Sequence, residues 1–380
     1  MNYLNLVFTS IRKNKLTFIL IILEIASLLL TVNLLVSTIY DRQMLDVAYR
    51  DILRNNSAFV WDVNYIQKKA NGLVQDVNHS RSLLLDEIEG EYKVYDTSVM
   101  YGDVNIIAVS DEIFDNLSLP LVSGNYNEAV SNFECTSGKY SYTYFNGVDE
   151  QSIDIEISGV LTANTFLPLM RSYSTGNEFT TKDFYLPSNY FDKFIITKKS
   201  SVEELESKFT TESGFIIQFN DKNYEKNLDI LSTIAGVKKG SEIINNSQQA
   251  LYKDLIDFIP VLTCVFFSVL IGTVSISIIM NSKNKYQSGI LWLCGYSRRQ
   301  IVYFHFVSMI VIFVVSVIIY GCAYALFSFM ELELFVSTTF SLANIITTVV
   351  ICSFLLVVSM IIPMIKSYKS SPIEYLRRAK

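Results

Sequence analysis

Four long apolar stretches constrain the fold of this chain more than any other feature of its sequence. They cover residues 16–40, 258–280, 301–329 and 342–365 of 380. Each is long enough to cross a hydrocarbon layer about 30 Å thick as a helix. Only 18% of the residues are charged, against about 25% in an average soluble domain. The sequence therefore predicts a polytopic membrane protein and excludes a soluble enzyme, a nucleic-acid-binding protein and a secreted disulfide scaffold.

Charge is distributed unevenly along the chain. Residues 41–257 contain 19 Lys and Arg against 33 Asp and Glu, a net charge of −14, whereas the remainder has 12 against 4, a net of +8. Because Lys and Arg are enriched in cytoplasmic loops, we expect residues 1–15, the connection 281–300 and the tail 366–380 to be cytoplasmic. The same rule predicts that 41–257 and the acidic connection 330–341 are extracytoplasmic. The first span is longer than the hydrophobic region of a signal peptide, so we expect it to be retained.

The region 41–257 is predicted to be an α+β domain. Short β-prone runs separated by Gly, Asn, Asp and Ser alternate with two helical segments. Its single cysteine, Cys135, cannot form a disulfide within the region. Residues 41–54 and 248–257 continue the helical period of the adjoining spans, which favours stalk helices over solvated linkers. The predicted fold is thus four transmembrane α-helices with an α+β extracytoplasmic domain between helices 1 and 2.

The connection 281–300 contains a short apolar segment flanked by basic residues. Residues 290–294 are too few to span a bilayer and fit a helix at the membrane surface. Gly295 can end that helix, and Ser297 with Gln300 forms an S-x-x-Q capping box for the third span. Two interpretations stay open, a passive anchored loop and a coupling helix that inserts into a groove on a cytoplasmic partner.

Polar and small residues occur at helical spacing within two of the spans. Glu24, Ser27, Thr31 and Thr38 share one face of the first span, which indicates either hydrogen bonding between helices or a role in handling an ion or substrate. Ser268, Gly272 and Ser275 form a small-residue ridge in the second span. Such a ridge permits close approach of another helix and suits a subunit interface.

The sequence contains no pattern typical of a catalytic site. It has no phosphate-binding G-x-x-x-x-G-K-[ST] loop. Its two histidines, His79 and His305, lie in segments of different predicted topology, which disfavours a histidine metal site. We therefore predict no catalytic residues, no bound metal and no cofactor on this chain.

The connection between the second and third predicted spans carries a family resemblance. Residues 287–301 read QSGILWLCGYSRRQI and resemble the pattern E-I-G-I-L-R-A-L-G-A-S-R-R-Q-I of MacB-like (FtsX-type) ABC transporter permeases. Gln287 stands where the family has an acid and Trp292 where it has a base. The matching positions are Gly289, Ile290, Leu291, Gly295, Ser297, Arg298, Arg299, Gln300 and Ile301.

Weaker similarities extend the resemblance over nearly the whole chain. The tail 371–377, SPIEYLR, is similar to the family's S-P-x-E-A-L-R ending, and residues 10–15 resemble its basic entry to the first span. Residues 119–126, LPLVSGNY, resemble the L-x-L-x-x-G-R-x-F of the MacB core domain, with Asn125 in place of Arg.

The resemblance implies a permease subunit in a bacterial plasma membrane, paired with an identical or paralogous permease. ATP and Mg²⁺ would be bound by a separate ABC ATPase. The conformational change that ATP hydrolysis drives would be transmitted to the outer domain, a mechanism called mechanotransmission. The expected partners include membrane lipid and a peptide, antimicrobial or lipid-linked substrate, but no nucleic acid. An FtsX-like regulator of a cell-wall hydrolase and a ligand-sensing receptor are the alternatives. The expected ATPase-coupling residues are Gln287, Gly289, Ile290, Leu291, Trp292, Leu293, Gly295, Ser297, Arg298 and Arg299.

Overall fold

The structure is a computed structural model that describes most of the chain. The described residues are 12, 15–54, 56–61, 81–82, 84–135, 138–145, 150–162, 165–170, 179–187, 190–219, 223–283, 285–329 and 341–369. The predicted N-terminal segment 1–15 (apart from residues 12 and 15), the connection 330–341 (apart from residue 341), the tail motif 371–377 and His79 lie outside them.

The described residues form seven helices, twelve strands and two 3₁₀ segments. Helices α1 to α7 are Lys15–Arg54, Asp111–Asp115, Tyr224–Ile234, Gly240–Lys283, Lys285–Leu293, Arg298–Phe329 and Leu342–Lys369. Strands β1 to β12 are Ser57–Trp61, Tyr92–Met100, Asn105–Val109, Leu121–Gly124, Ala129–Ser131, Lys139–Phe145, Glu150–Leu161, Phe166–Pro168, Tyr185–Pro187, Phe194–Lys198, Thr210–Phe219 and Gly236–Lys239. The 3₁₀ segments are Thr181–Phe184 and Ser200–Lys208.

Helices α1, α4, α6 and α7 are each long and apolar enough to cross a membrane. The chain is therefore a multi-pass membrane protein, with four candidate spans among the described residues. Two of these helices are much longer than the predicted spans. Helix α1 has 40 residues and helix α4 has 44, the latter continuing through Pro260. The segments 41–54 and 248–257 are thus helical, as their periodicity predicts.

The chain divides into two compact units, one of residues 1–40 and 254–380 and the other of residues 41–253. In the first unit the four helices share one apolar core. Ile25 and Leu28 of α1 are fully buried there, with Val269 of α4, Ile312 of α6 and Leu355 of α7. Large apolar side chains remain exposed on every one of these helices, as is typical of a surface that contacts lipid rather than water.

In the second unit, ten of the described strands form one mixed sheet. Nine of them follow the order β12-β1-β11-β2-β3-β10-β5-β7-β4, and β6 pairs with β7. The pairs β3–β10 and β5–β7 are parallel, and the other pairs are antiparallel. Strands β8 and β9 form a separate two-stranded sheet. The unit thus combines a mixed sheet with helices, the α+β class that the sequence predicts.

Both faces of the sheet are covered, because successive strand residues point to opposite sides. On β1, Phe59 joins one apolar core while Ala58 and Val60 join another. On β3, Ile107 lies in the same core as Phe59, and Ile106 faces a further cluster. The residues of α1 beyond position 44 pack into the Phe59 core, so the end of this helix is part of the sheet domain's interior.

An aromatic cluster fixes that end of α1. Tyr49 is fully buried, and its ring centroid lies 4.8 Å from that of Phe184. Phe184 in turn meets Phe59 edge to face at 4.9 Å. Phe59 also stacks with Trp61 at 5.7 Å and with Phe179 at 4.9 Å, and these two rings lie 6.2 Å from each other. Aromatic contacts of this kind add to the energy of simple burial, so the helix cannot leave the domain without opening its core.

The 3₁₀ segment Thr181–Phe184, here called the Thr181 turn, contacts the domain parts of both long helices. The Thr181 hydroxyl donates a hydrogen bond to Asp46 on α1. Its backbone N–H donates to Ser247 Oγ on α4 at 2.9 Å. Just after the turn, the Tyr185 hydroxyl donates to the Leu45 carbonyl at 3.2 Å. One short segment therefore ties the two helices to the sheet domain and to each other.

The end of α1 and the start of α4 also touch directly. A Cβ atom at Gly240 would overlap the Leu53 carbonyl oxygen and Ser57 Oγ. Only a glycine allows this close approach of the two backbones.

Asp96 on β2 is the centre of a buried ion pair elsewhere in the same unit. Its carboxylate lies 2.6 Å from Arg81 and 3.0 Å from Lys199, and it accepts a hydrogen bond from the Ser110 hydroxyl. Burial alone raises the pKa of this carboxyl group, but the two cations more than offset it, so the pKa is lowered. The group is therefore ionised at neutral pH and joins β2 to the segments that carry the two cations.

We predict that Tyr49→Ala lowers the free energy of unfolding by about 3–5 kcal/mol, the usual effect of truncating a buried aromatic side chain. Tyr49→Phe should be neutral or stabilising, because the Tyr49 hydroxyl is buried without a hydrogen-bond partner among the described residues. Thermal unfolding of the full chain in detergent, followed by tryptophan fluorescence, measures both effects. Equal melting temperatures for the two variants would contradict the packing role.

Candidate functional site

The connection between α4 and α6 contains a short, sharply terminated helix. Helix α5 begins at Lys285, four residues before Gly289, so the helix is longer than predicted. Gly295 has φ +88°, a left-handed conformation that glycine adopts without strain. The Tyr296 N–H donates to the Leu291 carbonyl and the Gly295 N–H to the Trp292 carbonyl, each at 3.0 Å. This is a Schellman motif, and it confirms the predicted helix end at Gly295.

A capping box begins the next helix immediately afterwards. The Ser297 N–H donates to Gln300 Oε1 at 2.7 Å, and the Gln300 N–H donates back to Ser297 Oγ at 3.4 Å. This reciprocal pair is the predicted one, and α6 begins at Arg298. Four residues, 294–297, thus separate the end of α5 from the start of α6, and local hydrogen bonds define both ends of this turn.

Helix α5 presents an apolar surface that the rest of its unit leaves uncovered. Ile290 and Leu293, three residues apart on one face, are 42% and 71% exposed. Ser288 and Leu291 are buried on the opposite face, which fixes the orientation of the helix. A short rigid helix with an exposed apolar face is a surface on which another protein can dock.

The remaining predicted coupling residues lie around this helix. Gly289 is buried, and Trp292 is half-buried with its ring centroid 5.6 Å from the Arg298 guanidinium carbon. Gln287 lies within α5, and Arg299 is exposed in the first turn of α6.

The predicted small-residue ridge of α4 meets α1 at one position. A Cβ atom at Gly272 would overlap Glu24 Oε2, so the glycine makes room for the carboxyl group. This oxygen is buried and has no hydrogen-bond partner among the described residues. Ser268 and Ser275, one turn to either side of Gly272, are exposed.

The polar stripe predicted on the first span forms no hydrogen bond between helices among the described residues. The Thr31 hydroxyl donates within its own helix, to the Ser27 carbonyl at 2.9 Å, and Ser27 is exposed. The helix-to-helix contacts are made by Asn33 and Ser37 instead. Asn33 follows Glu24 by nine residues, about two and a half helical turns. It therefore lies on the opposite face of α1, which is the face that meets α6 and α7.

Asn33 and Ser37 form a buried hydrogen-bond network between three helices. Asn33 Nδ2 donates to Thr348 Oγ1 of α7 at 3.0 Å. Ser37 Oγ lies 2.8 Å from the Tyr324 hydroxyl of α6. Asn344 Nδ2 of α7 donates to the Asn33 carbonyl at 2.9 Å and to Ser37 Oγ at 3.0 Å. Polar contacts of this kind hold helices together where apolar burial provides no driving force.

Asn344 has a second role at the start of α7. Its Oδ1 accepts hydrogen bonds from the backbone N–H and the hydroxyl of Ser341, at 3.0 and 2.7 Å. One side chain therefore caps its own helix and binds α1. The sequence indicates this network only by an asparagine within each of two apolar spans, Asn33 and Asn344. Neither residue is among the predicted site residues.

Among the described residues, no three His, Cys, Asp or Glu side chains converge on a point that could hold a metal ion. The five cysteines all lie among the described residues, and none of them forms a disulfide.

Comparison with known proteins gives similarity among solved structures. No protein-family model matches the chain, and no curated protein matches it. Among solved structures, it is similar to the periplasmic region of MacB from Actinobacillus actinomycetemcomitans, with 11% identity and a TM-score of 0.25. The match covers 51% of this chain and 93% of that one. A superposition this loose assigns neither a family nor an activity.

We predict that Ser37→Ala destabilises the bundle by about 1–2 kcal/mol, because it breaks contacts to both α6 and α7. Ser308→Ala is the matched control, since Ser308 is equally buried but donates only to the Phe304 carbonyl of its own helix. Thermal unfolding of the two variants in detergent gives the difference. Equal melting temperatures would show that the network does not hold the helices together.

Proposed function

We propose that this chain is the permease subunit of a MacB-like ABC transporter. In this proposal a separate ATPase binds ATP and Mg²⁺, and the chain itself is not an enzyme. Conformational change at the α5 connection is transmitted to the domain of residues 41–257 on the other side of a bacterial plasma membrane. The cargo is a peptide, antimicrobial or lipid-linked molecule that is exported or detached.

The observation that carries the proposal is the α5 connection. Its sequence resembles the family's coupling loop, and its exposed Ile290 and Leu293 offer an apolar face to a partner. The Schellman motif at Gly295 and the capping box at Ser297 join α5 to α6 through a turn with little freedom. A displacement of α5 would therefore also displace the start of α6, because the turn between them is fixed by hydrogen bonds.

Helices α1 and α4 are the proposed relay. Each contributes residues to both compact units, and neither is interrupted along its length. In the sheet domain the Thr181 turn links them through Asp46 and Ser247. Movement of either helix would thus reach the sheet domain through defined hydrogen bonds and the aromatic core.

Charge supports the proposed orientation and assembly. The basic residues of 281–300 would face the cytoplasm, and the acidic 41–257 region would lie outside. The exposed Ser27, Ser268 and Ser275 lie on α1 and α4, where small polar side chains suit contact with a second permease, identical or paralogous.

The test is ATP turnover by the complex that this chain forms in nanodiscs with a candidate ABC ATPase from the same genome. We expect Leu293→Asp to weaken binding of the ATPase at least tenfold, because a central apolar contact typically contributes about 2 kcal/mol or more. Val122→Asp is the control, since Val122 is similarly exposed but lies on β4 of the sheet domain. This control should leave ATPase binding and turnover unchanged.

Failure of any ATPase to bind, or equal effects of the two variants, would contradict the proposal. The phenotype of a deletion strain separates the alternatives. Sensitivity to peptides or antibiotics supports transport, whereas a defect in division or chain separation supports control of a cell-wall hydrolase.

A further inference from the structure

An open groove runs between α6 and α7, near the end at which α6 begins. Its volume is about 430 Å³, within the range of about 300–1,000 Å³ that is usual for small-molecule sites. Its walls are mainly apolar side chains from both helices, among them Val302, Phe306, Leu356 and Met360. On each helix these residues recur at spacings of four, so the groove follows the helix axes.

One charged side chain lines this groove among the described residues. Arg299 lies in the first turn of α6 and is exposed, and it takes part in none of the ion pairs between described residues. Tyr303, one turn further along α6, also lines the groove and is 54% exposed. A basic residue followed by a tyrosine at the end of an apolar helix is typical of the level at which lipid headgroups lie.

We propose that this groove binds an anionic phospholipid of the bilayer, with an acyl chain between α6 and α7 and its phosphate on Arg299. The apolar walls match a hydrocarbon chain in shape and polarity. The guanidinium group supplies the charge that distinguishes an anionic headgroup from a zwitterionic one, and it can pair with two phosphate oxygens at once.

This site does not depend on the proposed coupling to an ATPase. It requires only that α6 and α7 cross the bilayer, so that the groove opens to lipid. The neighbouring Arg298 provides an internal comparison, because it lies against Trp292 and does not line the groove.

The test is lipid retention by the full chain in native mass spectrometry. The chain is mixed in detergent with phosphatidylglycerol or phosphatidylcholine of identical acyl chains. We expect phosphatidylglycerol to be retained preferentially by the unmodified chain. Arg299→Gln should reduce that preference about fivefold, the factor that corresponds to the roughly 1 kcal/mol of one basic residue near an anionic lipid surface. Arg298→Gln should leave it unchanged.

A second pair of variants tests the apolar part of the site. Val357→Trp fills the groove and should reduce retention of both lipids, whereas Val350→Trp, at an equally exposed position of α7 that does not line the groove, should not. Equal retention of the two lipids by the unmodified chain would overturn the proposal without any variant. So would equal losses in the two arginine variants, or a groove-filling variant that retains lipid normally.

Discussion

A segment that crosses a bilayer has to satisfy its own backbone hydrogen bonds, because no water is present there to do so. A span of about 20 residues is enough for this purpose. Helices α1 and α4 have 40 and 44 residues, so each continues well beyond what the membrane requires. The additional residues do not end in solvent. They enter the core of the sheet domain, where Tyr49 of α1 is fully buried and Ser247 of α4 binds the Thr181 turn.

Each of the two units is stabilised internally by a different kind of interaction. The sheet domain is built on apolar burial, with an aromatic cluster around Phe59 and a buried Asp96 that is paired with Arg81 and Lys199. In the helical unit, lipid is as apolar as the core, so burial contributes less and polar contacts contribute more. The Asn33 and Ser37 network supplies such contacts between α1, α6 and α7. Glu24 is a different case, because Gly272 leaves space for its carboxyl group but one carboxyl oxygen has no hydrogen-bond partner among the described residues.

The features that the sequence predicts correctly are those decided by neighbouring residues. The helix end at Gly295 and the capping box at Ser297 each depend on a few consecutive residues, and the four apolar helices depend only on composition. The hydrogen bond between Asn344 and Asn33 joins residues 311 positions apart, and no local pattern specifies such a pair. A carboxyl group is expensive in lipid, so Glu24 indicates a polar stripe on the first span, but this cost does not indicate which face of the helix meets another helix. The parallel pairing of β3 with β10 also joins residues that are far apart in the sequence, so no local pattern predicts it.

The continuity of helices α1 and α4 from one compact unit into the other is the property on which the proposed relay depends. Hydrogen–deuterium exchange of the full chain in lipid nanodiscs, measured at residues 41–48 and 250–257, tests it most directly. Continuous helices predict slow exchange in both windows. Thr181→Val should speed exchange in both together, because it removes the hydroxyl that contacts both Asp46 of α1 and Ser247 of α4. Exchange at the rate of an unstructured peptide in either window would contradict the account.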